Sequence, residues 1–517
     1  MTFHASQEHL IQGLPFAILG IPFNNLSLSN ITLTCLERIQ KNRGEGKVSY
    51  LSTIDGTLIT QCYGWLPATV DNPEMLSILR NADFSVISDN CLRRLAKLLG
   101  STVSPPNTPN ELLLSLCKAL GEHEKGVFIL GGIEKETKNI AVHLHEKFNK
   151  LRVVGIATPP IFTEGQDLSN SWERDALLVE QINSSNADVL LINLGGIKQR
   201  LWLERVRSRL SVPLVVTIDH ALNEIKKITS TSSVPGGMKN TSLSRFYTKW
   251  KTISKKSAGF LLIGQLKLIW IAFSLVLYHT FSRYLYLWLC SANHLNNGLD
   301  SRLFLSARRS IAIIALPECL NETNFKLLTR CFEDAAGHDV LVIDFRKVRH
   351  IQPEGFYLLI KSWLQRNRLN KEIYGFCPST DVQYLMKLHR TWDLFKNTLC
   401  DSAEILMSRL RGLENAEFYD TFTQGENLVT MSVLGKLNNA IDYQAYIKKL
   451  LPLIGQKNCC IDFSYCTYID NSGFAFLLSL RKYLQSQQHE FTLKSVNKQL
   501  YNQFISASIN KLFIFSV

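Results

Sequence analysis

The sequence predicts an α/β protein in two halves with a basic, apolar segment between them. Three observations carry this. Strand-like and helix-like stretches alternate from residue 1 to 224. A stretch of 75 residues, Ile225 to Leu299, contains no Asp or Glu but ten Lys and Arg. Beyond it, residues 303–517 contain an internal repeat. At 517 residues, the chain is too long for a single core. Its 46% hydrophobic and 20% charged residues describe folded domains, not a disordered chain. The twelve cysteines include no CxxC pair, and Cys459 and Cys460 open a strand-like run, which suits buried thiols better than a zinc site. The start, MTFHASQEHL, has neither the basic region nor the apolar run of a signal peptide. A reduced, cytoplasmic setting is expected.

In the first part, strands are predicted at Phe16–Ile21, Val48–Ser52, Phe84–Ile87, Val127–Leu130, Arg152–Ile156, Val189–Asn193 and Pro213–Ile218. Helices fall between them, for example Glu111–Leu120, Thr137–Phe148 and Ser171–Ile182. This alternation implies a mostly parallel sheet with helices on both faces. Ligands of such sheets bind beyond the carboxyl ends of the strands. The residues found there are Thr53 and Asp55, Asp89, Gly131 and Gly132, and then Gly195, Gly196, Lys198 and Gln199. Glycines let a backbone approach a phosphate, and a helix N-terminus favours an anion. Lys198 adds charge and Gln199 can read a polar group. Each is also compatible with a plain turn or an N-cap; their concurrence at one sheet edge points to a nucleotide-type site.

The middle segment carries most of the chain's net charge of +13. Leu243, Phe246, Tyr247, Trp250 and Ile253 fall at helical spacing, with Arg245, Lys249, Lys255 and Lys256 around them, so a helix there is amphipathic and basic. The following run, Gly259 to Cys290, is apolar and aromatic but interrupted by Gln265 and Lys267. It is long enough to span a bilayer, which takes about 20 residues. It reads as lying along or dipping into the membrane, with a full span as the alternative. Anionic lipid is the expected partner. Nucleic acid is not, because no nucleic-acid module accompanies the basic stretch.

Residues from about 16 to 225 resemble the WecG/TagA/CpsF glycosyltransferases. The resemblance rests on AILGIPFNNLSLSNIT, YLSTIDGTLI, ADFSVISDN, VFILGGIEKE, VVGIATPPIF and ADVLLINLGGIKQRLW. It implies a Rossmann-like domain that transfers a hexose-type sugar from a UDP-sugar to a polyprenyl-diphosphate-linked acceptor, with inversion and without a metal cofactor. It also implies a basic appendage that meets the cytoplasmic face of the bacterial inner membrane. By position, Asp89 matches the proposed catalytic base, Thr53 a substrate-contacting threonine, and Gln199 the Gln of a Pro-Lys-Gln-Glu motif. Several positions depart from the pattern. Asn90 stands for a Gly, Ile197 and Arg200 for the Pro and Glu of that motif, Asp55 for an Asn, and Asp219 and His220 for a glycine-rich segment. An active transferase and a binding protein without turnover both fit this sequence.

In the last part, VIDFRKVRHIQPEGFYLLI (342–360) overlays CIDFSYCTYIDNSGFAFLL (460–478) at an offset of 118 residues. Both copies resemble the STAS domain, whose signature is a strand ending near an Asp and a turn of the type Ile-Asp-Ser-Ser-Gly opening a helix. The second copy carries Asp470, Asn471, Ser472 and Gly473 in that turn; the first carries Gln352, Pro353, Glu354 and Gly355. In the family's antagonists, the serine directly after the Asp is phosphorylated. Here Asn471 and Pro353 hold that place, so the copies are expected to dock an unidentified protein partner, with Ser472 as a helix cap. The expected boundaries are 1–224, 225–299, 300–398, a linker and the start of the second copy at 399–425, and 426–517.

Overall fold

The computed structural model describes residues 13–66, 69–104, 108–132, 134–148, 150–160, 171–194, 196–218, 266–267, 269–277, 300–305, 310–414 and 418–516. The basic stretch Ile225–Ile253, most of the apolar run to Cys290, Gly195, Asp219 and His220 lie outside them.

The chain forms two compact units. One is Met1–Ala292 with Ile351–Leu364 and Leu385–Trp392; the other is Asn293–His350, Gln365–Tyr384 and Asp393–Val517.

The first unit opens with a hairpin, not one long strand: β1 (Phe16–Ile18) and β2 (Ile21–Phe23) pair antiparallel. Leu19 and Gly20 both have positive φ, the geometry of a tight two-residue hairpin turn. Then follow α1 (Leu28–Glu45), β3 (Ser49–Ile54), α2 (Gly56–Cys62), α3 (Pro73–Arg80), β4 (Phe84–Ile87), α4 (Asn90–Leu98), α5 (Pro109–Glu122), β5 (Gly126–Gly131), α6 (Glu134–Lys147), β6 (Arg152–Ala157), α7 (Ser171–Ser184), β7 (Val189–Asn193), α8 (Gly196–Val206) and β8 (Leu214–Thr217). Six strands form one parallel sheet in the order β4-β3-β8-β7-β5-β6. Its central strands are buried along their whole length, as a sheet covered on both faces requires. One face packs on α1 and α5 through Ile39, Leu113 and Leu116. The other packs on α7 and α8 through Ile182, Trp202 and Leu203.

A further helix, α9 (266–267 and 269–277), packs on the hairpin side of this unit. Ile271 and Leu275 are buried there, while Leu266, Ile269, Trp270, Phe273 and Leu277 are 54–61% exposed. Lys267 is paired with Asp71 at 3.0 Å. The segments 351–364 and 385–392 belong to the same unit. Arg390 donates to the carbonyl oxygens of Thr69 and Gly64, and its own carbonyl accepts from Arg80 at 2.7 Å.

The chain from residue 300 on, which belongs to the second unit apart from 351–364 and 385–392, contains two five-stranded sheets. The chain runs β9 (Asp300–Leu305), β10 (Ser310–Ala315), β11 (Cys319–Leu320), α10 (Glu322–Ala335), β12 (Val340–Asp344), β13 (His350–Ile351), α11 (Pro353–Arg368), β14 (Glu372–Phe376), α12 (Thr380–Leu388), α13 (Trp392–Phe395), β15 (Leu399–Cys400), α14 (Ala403–Glu414), β16 (Phe418–Gln424), β17 (Leu428–Leu437), α15 (Tyr443–Ile454), β18 (Asn458–Ile469), α16 (Asn471–Ser486), β19 (Phe491–Lys494), α17 (Lys498–Ser506) and β20 (Ile514–Ser516). The sheet orders are β15-β14-β12-β10-β9 and β16-β17-β18-β19-β20. In each, the first two strands in the chain are antiparallel and the rest parallel.

Two expectations from the sequence are corrected by this fold. Within the stretch 399–425 the expected linker is structured: it contributes β15 and α14, and β16 begins the second sheet. Leu406, Met407 and Leu410 of α14 are buried in a cluster with Ile313 and Val342 of the first sheet and Leu434 and Tyr465 of the second. The two sheets therefore share apolar core, and the second also has a cluster of its own. In the second copy's turn, Asp470, not Ser472, caps the helix: one carboxylate oxygen accepts from Gly473 N at 2.9 Å and the other from Asn439 N at 2.8 Å. Gly473 is required there, because a Cβ would meet the Leu437 carbonyl oxygen at 2.7 Å.

Candidate functional site

The carboxyl edge of the six-stranded sheet gathers the candidate residues. Asp89 follows β4 and Asp55 follows β3. Each accepts from a backbone N–H three residues on, as an N-cap does: Asp55 from Leu58 at 2.8 Å and Asp89 from Leu92 at 2.7 Å. The second carboxylate oxygen of Asp89 accepts from Gly56 N at 2.6 Å. One side chain thus holds the starts of α2 and α4 side by side, with both its oxygens occupied by backbone donors.

Thr53, at the end of β3, is fully buried, and its hydroxyl donates to the Thr217 carbonyl oxygen of β8 at 3.3 Å. Its own carbonyl oxygen accepts from the Arg200 guanidinium at 2.6 Å. Arg200 also donates to the Gly196 carbonyl oxygen at 2.7 Å. A fully buried arginine therefore ties the first turn of α8 to the end of β3, on the far side of β8.

On the other flank, Gly131 and Gly132 end β5 with φ of +98° and +82°, a backbone that favours glycine. A Cβ on Gly131 would meet the Asn193 carbonyl oxygen at 2.7 Å, and one on Gly132 would meet Thr137 Oγ1 at 2.5 Å. Thr137 Oγ1 donates to the Gly131 carbonyl oxygen at 3.0 Å. The double-glycine turn is thus pressed against the end of β7.

Asp89, Asp55, Thr53, Gly196, Gly131 and Gly132 consequently lie along one edge. Gly195 is outside the described residues. Lys198 is exposed and Gln199 fully buried, so of these two only the lysine reaches open solvent from the first turn of α8. Sequence reasoning did not mark Arg200, Asn193 or Thr137 as edge residues. Arg200 is visible there only as a departure from a motif; its partner at Thr53 is 147 residues away. Among the described residues, no group of three or more His, Cys, Asp or Glu is placed to hold a metal. Burial pushes the thiols of Cys35, Cys62 and Cys117 up to about 12, so these are inert core groups.

Residues 16–247 match the sequence profile of the Glycosyl transferase WecG/TagA/CpsF family. That match contains the whole parallel sheet and its carboxyl edge. Curated proteins give no match. Among solved structures, an anti-sigma factor antagonist, SpoIIAA in its unphosphorylated form, is similar at 14% identity, over 19% of this chain and 88% of that one, with a TM-score of 0.17. The Gly74Cys mutant of arylmalonate decarboxylase, in a sulfate-associated form, is similar at 14% identity, over 41% of this chain and 80% of that one, with a TM-score of 0.14.

Proposed function

We propose that the first unit transfers a sugar, of hexose or N-acetylhexosamine type, from a UDP-sugar to a polyprenyl-diphosphate-linked acceptor in cell-surface polysaccharide synthesis. The observation that carries this reading is where the family match lands. It covers a parallel sheet whose carboxyl edge combines a left-handed double-glycine turn, a helix N-terminus and a strand-end carboxylate. The glycines let a diphosphate approach the backbone, and the helix N-terminus favours its charge. Asp89 takes the proton from the attacking acceptor hydroxyl.

A second reading is a protein that binds nucleotide-sugar or a partner without turnover. Both Asp89 oxygens are held by backbone N–H groups, and Arg200 stands where the family pattern has an acid. A nucleotide-sugar screen on the full chain, scored for binding and for turnover with a lipid-diphosphate sugar acceptor, separates the two. Binding with turnover is expected. Binding without turnover to any acceptor would favour the second reading. The full chain is the sample of choice because segments 351–364 and 385–392 belong to the first unit.

The apolar stripe of α9 supplies the membrane contact in this proposal, at the cytoplasmic face of the bacterial inner membrane. A soluble amphipathic helix turns its polar face outward; α9 exposes Leu266, Ile269, Trp270, Phe273 and Leu277. Among the described residues no helix is long and apolar enough to cross a membrane. The helix suits a position in the interface plane, its outer face among the headgroups. The full chain is expected to pellet with anionic vesicles and to be released only in part by high salt, because screening weakens the lysines but not the stripe. Burying one large apolar side chain is worth about 1.5–3 kcal/mol. Trp270→Glu with Phe273→Glu should therefore weaken vesicle binding at least roughly tenfold. Pelleting equal to wild type would show that lipid does not cover this face.

A further inference from the structure

The two C-terminal copies meet at a seam built from positions that share the 118-residue offset. Arg346 donates through Nη1 to the carbonyl oxygen of Ser464, its own counterpart, at 3.0 Å. The Asp344 carboxylate accepts from Arg346 at 2.6 Å and from the Tyr465 hydroxyl at 2.7 Å. Arg346 also lies over the rings of Tyr465 and Phe376 at 4.8 and 5.0 Å. Two-fold-like packing of the copies would repeat each contact with the roles exchanged. The counterpart of Asp344 with Tyr465 is Asp462 with Lys347. That contact is not made: among the described residues, Lys347 has neither an ion-pair nor a hydrogen-bond partner. A cavity of about 180 Å³ lies there instead, lined by Asp344, Arg346, Lys347, Asp462, Tyr465 and Lys494, together with Ser464, Ser495 and the end of β10.

The lining is polar and asymmetric in its commitments. Asp344, Asp462 and Tyr465 are at most 4% exposed. Asp344 is neutralised by Arg346. Lys347, Lys494, Ser464 and Ser495 line the cavity, and their ammonium and hydroxyl groups have no partner among the described residues. The cavity opens at the carboxyl ends of parallel strands from both sheets, where α/β proteins bind ligands. Ser495, directly after β19, has φ of +58°, a strained conformation for a residue with a side chain.

We propose that this seam binds a phosphate group, held by Lys347 and Lys494 with hydrogen bonds from Ser464 and Ser495. The cavity is smaller than the roughly 300–1,000 Å³ of drug-sized pockets, so the ligand is inorganic phosphate or a small phosphomonoester. Two uncommitted cations and two uncommitted hydroxyl donors match an oxyanion of high charge density. The committed Asp344–Arg346 pair sets one wall and is not available to the ligand.

The test is isothermal titration calorimetry of the full chain, at low salt, with inorganic phosphate and separately with glycerol 3-phosphate. Wild type is compared with Lys347→Gln/Lys494→Gln. Both lysines are exposed, so the variant should keep the wild-type melting temperature. One site per chain is expected. Loss of charge-assisted hydrogen bonds should weaken it at least roughly tenfold in the variant. Tighter binding of glycerol 3-phosphate than of phosphate would identify the ligand as an ester; the reverse would identify free phosphate. No binding of either to wild type would overturn the proposal. So would equal binding by the variant, which would place the phosphate elsewhere, such as the sheet edge of the first unit.

Discussion

Asp89→Asn is expected to lower the rate of sugar transfer on the order of 10²–10⁴-fold, the contribution of a positioned general base, while donor binding is retained. An amide cannot accept a proton from the acceptor hydroxyl, but it leaves the double-glycine turn and the start of α8, the proposed diphosphate contacts, untouched. The geometry adds a second consequence. Both carboxylate oxygens accept backbone N–H groups, from Gly56 and Leu92. The amide has one oxygen, so its NH2 must face one of these donors, and one helix start loses its partner. An unpaired buried donor costs about 1–3 kcal/mol, so urea unfolding should show a lower midpoint. The two effects are separated by assaying transfer at a temperature where both proteins are folded. Activity lost only in proportion to the unfolded fraction would make Asp89 a double helix cap with no part in the chemistry. Loss beyond that fraction, with the dissociation constant for UDP-sugar unchanged, is the signature of a base.

The parallel sheet is legible because most of its strands are short runs rich in Val, Ile, Leu and Phe, several of them followed within two residues by Gly, Asp or Asn. Buried β-strands between helices leave that pattern, and the shortness of each run separates it from a buried helix. The hairpin at the start is not, since Phe16–Ile21 is apolar throughout and only the backbone angles at Leu19 and Gly20 reveal the turn. The stretch 399–425 hides its elements for a different reason. Polar and apolar residues are mixed through it without a long apolar run, and the buried positions of α14, Leu406, Met407 and Leu410, do not stand out among them. In α9 the apolar residues run right round the helix, so the sequence could not say which face the protein covers. The site follows the same division. Aspartates and glycines at strand ends are local signals. The bond between Arg200 and Thr53, and the packing of Gly132 against Thr137, depend on which strands become neighbours, which no local pattern states.

Arg200 is the position at which the site edge and the stability of the first unit are most closely joined. It is fully buried, and its guanidinium satisfies the carbonyl oxygens of Thr53 and Gly196. Arg200→Ala removes both bonds, leaves two acceptors without those donors and opens a cavity between β3 and α8. A loss of about 2–5 kcal/mol is expected, read as a lower urea midpoint at unchanged slope. Arg200→Lys keeps the charge and one of the two bonds, and should fall between Ala and wild type. Arg200→Glu writes the acid of the family pattern into this site and is the sharper test. A carboxylate there would face two carbonyl oxygens, so the folded protein should hold it protonated, with a pKa raised above the ordinary value of about 4.3. A raised folded pKa contributes stability below the unfolded value that is lost as pH rises. The Glu variant should therefore unfold at lower urea than the Ala variant at pH 7, with the gap narrowing toward pH 4. A Glu variant as stable as wild type at pH 7 would show that the position tolerates the acid, and that the two carbonyl bonds of Arg200 do not hold this edge together.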